Sequence, residues 1–301
     1  MKATMSRSRY KKSTPKFHPG SLPARRRQLR QGNSKKQKSE IIAIGDVHGE
    51  MDGLQEVLIH AGVIDSRGLW RGGNKTLVQV GDVVDRGPFS FEANRLLSTL
   101  QRDAEQQGGK VIRLVGNHEL EILRGNFYLT TLLQHKVIPY REEMMNDIIE
   151  NRVTAAFAAQ GYLFTHAGLT SEMVETLSSE ISPLPMDEQT LADHINRVLV
   201  RAVQEGDFSH PIFSVGRSRG GNRELGGIFW EDIRVLSGFQ PAELKQVVGH
   251  TPLKRIVQSD TGRLIGIDIG LFKGYGGGRG YLKIKKGRVT PVTLLPLGAA
   301  Q

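Results

Sequence analysis

Residues 41–49 read Ile-Ile-Ala-Ile-Gly-Asp-Val-His-Gly, an apolar run that ends in a glycine-bounded turn with an aspartate and a histidine. A short apolar run of this kind is typical of a buried strand. The arrangement recurs where residues 76–80 lead into Gly-Asp-Val-Val-Asp-Arg-Gly at 81–87, and where residues 111–115 lead into Gly-Asn-His-Glu at 116–119. Each predicted strand therefore delivers polar side chains into a tight turn.

Helices are predicted between these strands, because apolar residues recur at helical spacing over 51–61 and 90–107. Strands that alternate with helices in this way indicate βαβ units with right-handed crossovers. A third helix is predicted to begin within 119–124, further helices to lie near 142–159 and 188–204, and further strands at 162–164, 246–248, 264–269 and 281–284. We therefore predict an α/β fold with a βαβαβ core, in which residues 40–301 form one domain.

Two of the later strands end in the same way, in Thr-His-Ala-Gly at 165–168 and in Gly-His-Thr at 249–251. Ligands of α/β sheets bind beyond the carboxyl ends of the strands, and glycines let the backbone approach them closely. Any one of these polar residues alone would more often be structural, but their joint occurrence at five strand ends indicates one metal site. The candidate ligands are two carboxylates, one carboxamide and three imidazoles: Asp46, Asp82, Asn117, His48, His166 and His250.

This mixed set of oxygen and nitrogen ligands suits Mn, Fe or Zn. Six protein ligands are too many for one catalytic ion that must keep open positions. They suit two divalent metal ions about 3.5–4 Å apart that share a bridging carboxylate. Such a pair lowers the pKa of a water and clamps the oxygens of a phosphoryl group. The residues by themselves predict a two-metal hydrolase of phosphate esters.

The three motifs Gly45-Asp46-x-His48-Gly49, Gly81-Asp82-x-Val84-Asp85-Arg86-Gly87 and Gly116-Asn117-His118-Glu119 resemble the signature of the phosphoprotein phosphatase superfamily, within the calcineurin-like metallophosphoesterases. Further stretches are similar to its Shewanella-like protein phosphatase branch: residues 120–128, 164–169, 218–221 and 266–270. The resemblance covers nearly all of the chain after residue 40. It implies a metallophosphoesterase β-sandwich of two mixed sheets flanked by helices.

The resemblance also divides the candidate ligands between two ions. It implies that Asp46 and His48 hold the first metal, that Asp82 bridges both, and that Asn117, His166 and His250 hold the second. In that arrangement a water attacks the phosphorus atom. No covalent enzyme intermediate is therefore expected.

The groups that act on the phosphate are implied by the same resemblance. His118 would be the general acid that protonates the leaving alkoxide, and Asp85 would orient its ring. Arg86 would bind phosphate oxygens through its guanidinium fork. A second phosphate-binding arginine is usual in the superfamily, and Arg234 is the candidate, with Arg219 as the alternative.

The positive charge of the chain is concentrated at its start. Residues 1–39 hold 13 lysines and arginines and no acidic residue, so residues 40–301 carry a net charge of −3 although the whole chain carries +10. A segment so basic and so poor in apolar residues is predicted to be disordered. Three roles stay open for this tail: a solubilising extension, a nucleic-acid contact or nuclear signal, and an organelle transit peptide.

Several classes of protein are excluded by composition. The chain has no cysteine, which excludes a disulfide scaffold, a thiol nucleophile and a thiolate metal site. No apolar stretch approaches the roughly 18 residues of a membrane span, and the first residues lack the apolar core of a secretory signal. We expect a soluble protein of the cytoplasm, with nuclear or organellar targeting by the basic tail as the alternative.

Three activities compete for this site: hydrolysis of a phosphoprotein, hydrolysis of a nucleotide polyphosphate such as diadenosine tetraphosphate or an RNA cap-like end, and binding without catalysis. The third is disfavoured because every ligand and the acid are present. The pair Asp85-Arg86 is typical of phosphoprotein phosphatases, although the basic tail would attract RNA as readily as an acidic phosphopeptide. We predict a phosphoprotein substrate, and the choice between phosphoserine/threonine and phosphotyrosine stays open.

Deleting residues 1–39 should leave the hydrolysis of a small phosphomonoester unchanged, because no predicted site residue lies among them. The measurement is the turnover of p-nitrophenyl phosphate by the full and the shortened chain with added Mn²⁺. A large loss of turnover would show that the tail belongs to the catalytic fold.

Overall fold

The computed structural model describes residues 39–181 and 187–294. Nearly all of the predicted basic tail, residues 1–38, lies outside the described residues, so its disorder stays a prediction. Among the helices of the two described segments, none is both long and apolar enough to cross a membrane.

The first sheet has six strands, four of which are parallel. They are β1 (Ile41–Ile44), β2 (Thr76–Gln79), β3 (Lys110–Leu114), β4 (Val153–Thr154), β10 (Gly280–Lys285) and β11 (Arg288–Thr293). Their order is β11-β10-β1-β2-β3-β4, with β1 to β4 parallel and β10 antiparallel to both of its neighbours. The predicted strands of the βαβαβ core are confirmed, each within one residue of the expected start.

The second sheet has five strands and is also mixed. They are β5 (Ala156–Ala159), β6 (Tyr162–Thr165), β7 (Gln246–Val248), β8 (Val257–Gln258) and β9 (Leu264–Gly266), in the order β5-β6-β7-β9-β8. The strand predicted over 264–269 is shorter, and residue Ile267 continues it with one hydrogen bond, from its N–H to the carbonyl of Val248 at 2.8 Å. Two mixed sheets are what the sequence resemblance implied.

The described residues form seven α-helices besides the two sheets. They are α1 (Met51–His60), α2 (Ser90–Gln106), α3 (Asn117–Leu123), α4 (Gln134–Ile149), α5 (Ser171–Ile181), α6 (Glu188–Glu205) and α7 (Ile233–Phe239). The crossovers from β1 to β2 and from β2 to β3 run through α1 and α2, as the alternating pattern predicts. Because parallel strands share one direction, their carboxyl ends lie at the same edge of the sheet.

The apolar core lies in layers that follow the alternation of side chains along β1. Ile42 and Ile44 pack with the apolar residues of α1 and α2, whereas Ile41 and Ala43 pack against the second sheet around Phe164. Successive side chains of a strand point to opposite faces, so a continuous apolar run indicates a strand buried on both faces. The outer face of the second sheet packs on α4 and α6.

One predicted helix is partly wrong. The helix expected near 142–159 is α4, which begins and ends earlier, and residues 153–159 form β4 and β5 instead. The Asn196 carboxamide of α6 accepts the N–H groups of Ala155 and Ala156 at 2.9 Å and donates to the Ala156 carbonyl at 2.9 Å. Alanine favours helices by itself, so strand pairing and this side chain override the local preference.

Candidate active site

The predicted metal ligands meet where strands of the two sheets end. The loops after β1, β2 and β3 contribute from the first sheet, and the loops after β6 and β7 contribute from the second. All of the predicted ligands are buried, with at most 8% of each residue exposed: Asp46, His48, Asp82, Asn117, His166 and His250. Residues far apart in the sequence are thus brought into one buried cluster.

The carboxylate of Asp82 lies at the centre of this cluster. Its Oδ2 atom is 3.6 Å from Nε2 of His48 and 3.5 Å from Nε2 of His166. On the side of His48, the Oδ2 atom of Asp46 lies 4.0 Å from the same Nε2. One carboxylate oxygen therefore faces imidazoles of both sheets, which is the arrangement expected of a bridging ligand.

A second group of ligand atoms lies beside His166. Its Nε2 atom is 3.0 Å from Oδ1 of Asn117 and 3.1 Å from Nδ1 of His250. The Asn117 oxygen is in turn 2.8 Å from the same His250 nitrogen. Three donor atoms thus converge on one side of Asp82, as two do on the other.

The orientation of two imidazoles is set by backbone carbonyls. Nδ1 of His48 lies 3.0 Å from the carbonyl oxygen of Val84, and Nδ1 of His166 lies 2.9 Å from that of Val80. Because a carbonyl oxygen only accepts, each Nδ1 carries a proton, and Nε2 is the ring nitrogen that faces Asp82. This orientation makes Nε2 the atom available to ligate a metal.

Burial controls the charge of the cluster. It lowers the pKa of His48 to about 4, against the opposing effect of Asp82, and it holds the pKa of His250 well below its ordinary value. Both imidazoles are therefore neutral near pH 7, the form that binds metals. Burial alone would raise the pKa of Asp82, but the imidazoles of His166 and His118 hold it well below its ordinary value.

The donor set fits divalent cations. Oδ2 of Asp46 is buried without a hydrogen-bond partner, and Oδ2 of Asp82 faces the Nε2 atoms of two imidazoles. Buried charges are normally paired or coordinate metals, and carboxylate, carboxamide and imidazole ligands suit Mn, Fe and Zn. The side chains therefore fit two ions on either side of Asp82.

Strained backbone conformations concentrate at this site. Eight residues other than glycine have positive φ angles among the described residues, and five of them belong to the predicted site: His48 (47°), Asp82 (54°), Asp85 (72°), Arg86 (67°) and His250 (65°). Such conformations are uncommon for residues other than glycine and cluster at functional sites. Their concentration at these five residues is what a functional site predicts.

The loop after β2 is held by Glu119, whose role sequence reasoning missed. The carboxylate of Glu119 accepts the backbone N–H groups of Asp82 (2.9 Å), Val83 (2.9 Å), Val84 (3.1 Å) and Gly116 (2.9 Å). Glu119 stands three residues after Gly116, the residue that precedes α3. This is the acidic position of a capping box, and that pattern in the sequence could have revealed the role. Three of these hydrogen bonds fix the turn that presents Asp82, and the fourth ties Glu119 to the loop after β3.

His118 and Asp85 form a pair at the edge of the cluster. Nδ1 of His118 lies 2.7 Å from Oδ2 of Asp85, and the other Asp85 oxygen accepts from the Thr131 N–H at 2.8 Å and from the Thr130 hydroxyl. Nη2 of Arg86 lies 3.4 Å from Nε2 of His118. Nε2, the ring nitrogen of His118 that Asp85 does not contact, therefore faces the guanidinium of Arg86.

The charges around His118 favour its protonated form. Burial would lower the pKa of His118, but the carboxylates of Asp82 and Asp85 outweigh burial and raise it. Burial would raise the pKa of Asp85, and hydrogen bonds from His118 and Thr130 lower it instead. An imidazolium beside an ionised carboxylate is suited to give up a proton to a reacting group.

The two candidate arginines share one carboxylate but lie in different surroundings. Arg234 donates to both oxygens of Asp232, at 2.7 and 2.6 Å, and its side chain is 78% exposed. The side chain of Arg219 is 25% exposed, and its Nη2 atom lies 3.0 Å from the Thr251 hydroxyl and 2.9 Å from Asp232. Thr251 follows His250 in the chain, so Arg219 lies closer to the cluster than the sequence candidate Arg234 does.

Sequence reasoning missed two further residues beside the site. Tyr275 packs its ring edge-on to His48, with ring centroids 5.8 Å apart, and lies 5.1 Å beneath the Arg86 guanidinium; no local pattern marks it. Asp268 is buried, and burial raises its pKa to about 6. An aspartate just after β9 and before Gly270 follows the same strand-end pattern as the predicted ligands, and that pattern could have found it.

Residues 39–271 match the family model for the calcineurin-like phosphoesterases. An uncharacterized protein of Schizosaccharomyces pombe is 31% identical over 268 residues, which cover 82% of this chain and 77% of that protein. Shewanella-like protein phosphatase 2 of Arabidopsis thaliana is 43% identical over 91 residues, but the match covers only 30% of this chain and 23% of that protein.

A solved structure shows the same fold. The cold-active protein-tyrosine phosphatase of a psychrophilic Shewanella superposes with a TM-score of 0.66 at 23% identity, covering 86% of this chain and 81% of that chain. The matched family uses a dinuclear divalent metal centre, which agrees with the two donor groups around Asp82. This chain belongs to the calcineurin-like phosphoesterase family and is a hydrolase of phosphoric esters.

Proposed function

We propose that this protein is a dinuclear-metal phosphoprotein phosphatase that hydrolyses phosphate monoesters on protein side chains. The observation that carries the proposal is the contact of 2.7 Å between Asp85 and His118, with Arg86 beside the free ring nitrogen. This group combines a proton donor and a phosphate-binding cation at the edge of a buried set of metal ligands. A metal-dependent hydrolysis of phosphate monoesters uses all three parts.

The proposal assigns the ligands to two ions. Asp46 and His48 would hold one ion, Asp82 would serve both, and Asn117, His166 and His250 would hold the other. When bound, the ions supply Lewis-acid activation of a water and of the phosphoryl group. The protein contributes imidazoles that backbone carbonyls orient, and a turn held by Glu119.

His118 acts on the leaving group. Its Nδ1 is engaged by Asp85, so the proton that is transferred comes from Nε2 and goes to the alkoxide oxygen as the P–O bond breaks. Arg86, whose guanidinium ends 3.4 Å from that nitrogen, binds the oxygens of the phosphate. Asp85 keeps the ring in place and stabilises its charged form.

Two observations support a protein substrate. The Asp85-Arg86 pair is typical of phosphoprotein phosphatases, and the Arabidopsis relative is named a protein phosphatase. A nucleotide polyphosphate is the second candidate, because residues 1–39 carry 13 unopposed cations that would attract a capped RNA.

A turnover assay of the full chain with added Mn²⁺ tests the proposal. The panel contains phosphoserine/threonine peptides, phosphotyrosine peptides, diadenosine tetraphosphate and capped RNA. We expect the highest kcat/KM for one of the phosphopeptides, and the better peptide class also settles the residue specificity. Preference for either nucleotide substrate would contradict the proposal. It would indicate instead that the basic tail binds the nucleotide substrate.

We further propose that Arg219, rather than Arg234, is the second phosphate-binding arginine. Substituting Arg219→Ala should raise the KM for a phosphomonoester by about 10–100-fold, since a hydrogen bond to a charged group contributes about 1.5–3 kcal/mol. Arg234→Ala is the matched control, because it removes a guanidinium from the same carboxylate, Asp232, and should leave KM unchanged. A larger rise in KM for Arg234→Ala than for Arg219→Ala would make Arg234 the second phosphate-binding arginine.

A further inference from the structure

Asp268 is a buried carboxylate for which the proposed mechanism has no use. Only 1% of the residue is exposed. Its Oδ1 atom accepts the Gly270 N–H at 2.9 Å, whereas Oδ2 is buried without a hydrogen-bond partner. Among the described residues, Asp268 takes part in no ion pair within 4.0 Å. An unpaired buried carboxylate oxygen is costly and requires a compensating partner.

The position of Asp268 indicates what this partner is. Its backbone packs directly on Gly45, where an added Cβ would come within 2.7 Å of the Asp268 Cα, so Asp268 lies next to the residue that precedes Asp46. Both aspartates are buried, with 1% of Asp268 and 3% of Asp46 exposed, and Asp46 also has an unpartnered Oδ2 atom. Two neighbouring buried carboxylates therefore each keep one oxygen that no protein group satisfies.

Glu119 provides the contrast. It is equally buried and close to Asp82, but four backbone N–H groups satisfy both of its oxygens. Asp268 has one such donor and a free oxygen. A hydrogen-bonded carboxylate can be stable in a buried site without a cation, whereas one with a bare oxygen needs positive charge nearby.

We propose that Asp268 is a further acidic residue of the metal centre, whose free oxygen balances the charge of the ions and helps to hold them. This inference rests on the metal centre of the proposed function. It adds one residue to the six ligands that the sequence predicts. Asp268 either binds an ion directly or hydrogen-bonds to a water that the ion holds. Either role makes the affinity for metal depend on the Asp268 charge.

The test is the variant Asp268→Asn, which has the same shape and keeps an oxygen for the Gly270 N–H. The full chain is stripped of metal with a chelator and titrated with MnCl₂ by calorimetry. The thermal midpoint is measured before and after the addition of Mn²⁺. We expect Mn²⁺ to bind at least one site about 10–100-fold more weakly. A loss of this size is typical when a residue that hydrogen-bonds to a metal ligand is replaced. The midpoint of the stripped variant should equal or exceed that of the wild type, because an unpaired buried charge has been removed.

Asp147→Asn is the matched control. Asp147 is also a buried aspartate, but it pairs with Arg113 and Arg152, at 2.9 and 2.8 Å. This variant should melt at a lower temperature and bind Mn²⁺ like the wild type. The two variants should therefore show opposite patterns of stability and metal affinity.

Two outcomes for the variant would overturn the inference: Mn²⁺ affinity equal to that of the wild type, or a stripped Asp268→Asn chain that is unfolded or melts at a lower temperature. The second would show that the carboxylate serves the fold. A wild-type chain that binds no Mn²⁺ would overturn the proposed function together with this inference. Equal affinity in both chains would overturn this inference alone.

Discussion

Replacing His118 with asparagine should lower the turnover of a phosphoserine peptide by about 10²–10⁴-fold while the metal content stays at the wild-type level. Asparagine cannot supply the proton that the leaving alkoxide needs. The loss should be smaller for p-nitrophenyl phosphate, because p-nitrophenolate is a stable leaving group that requires less help from an acid. The measurement is kcat for both substrates, together with the bound metal by elemental analysis.

The metal measurement matters because His118 lies close to the ligands. Ligand atoms of His118, His48 and Asp82 all lie within 4.8 Å of one another. If the His118→Asn variant lost metal as well as turnover, His118 would be a ligand rather than the acid. His60→Asn is the control, since His60 is an exposed residue of α1 outside the site and its replacement should change neither quantity.

The variant Glu119→Gln should lower the free energy of unfolding by about 2–6 kcal/mol. The four backbone N–H groups are shared between the two Glu119 oxygens, two to each. An amide nitrogen in place of one oxygen leaves two buried N–H groups without an acceptor, at about 1–3 kcal/mol each. Urea unfolding of the metal-free chain measures the change without a contribution from metal binding.

Glu92→Gln makes the same chemical change at an exposed position in the first turn of α2 and should lower the free energy of unfolding by less than about 1 kcal/mol, the size of a surface helix-dipole interaction. A loss below about 1 kcal/mol for Glu119→Gln would mean that the loop after β2 rearranges and finds other acceptors. The metal affinity of this variant would then be expected to fall, because the turn that presents Asp82 would have moved.

The local signals in this sequence were sufficient for most of the elements that build the core. The strands β1, β2 and β3 and the helices α1 and α2 follow from apolar runs and helical spacing, which depend on residues near each other in the chain. Residues 153–159 could not be assigned in this way, because their conformation depends on strand pairing with β3 and β6 and on the carboxamide of Asn196. Neither contact is visible in the local sequence.

The same division holds for the candidate site. The loop motifs identify Asp46, His48 and Asp82 from residue type and from their position after a strand. Tyr275 reaches the site through a loop with no such pattern, and its place under Arg86 is apparent only in three dimensions. Asp268 carries the pattern, but its unpartnered oxygen becomes visible only when its neighbours are known.

By itself, the sequence indicated that polar side chains end a series of buried strands, and hence a two-metal hydrolase of phosphate esters, because strand periodicity and glycine-bounded turns are local properties. The resemblance of its three loop motifs to known signatures added the metallophosphoesterase family. Only the tertiary structure shows where the remaining polar groups lie relative to those side chains. Arg219 and Arg234 are equally basic in the sequence, but one packs beside Thr251 and the other extends into solvent. That difference arises from the packing of residues distant in the chain, which sets burial and charge at each position.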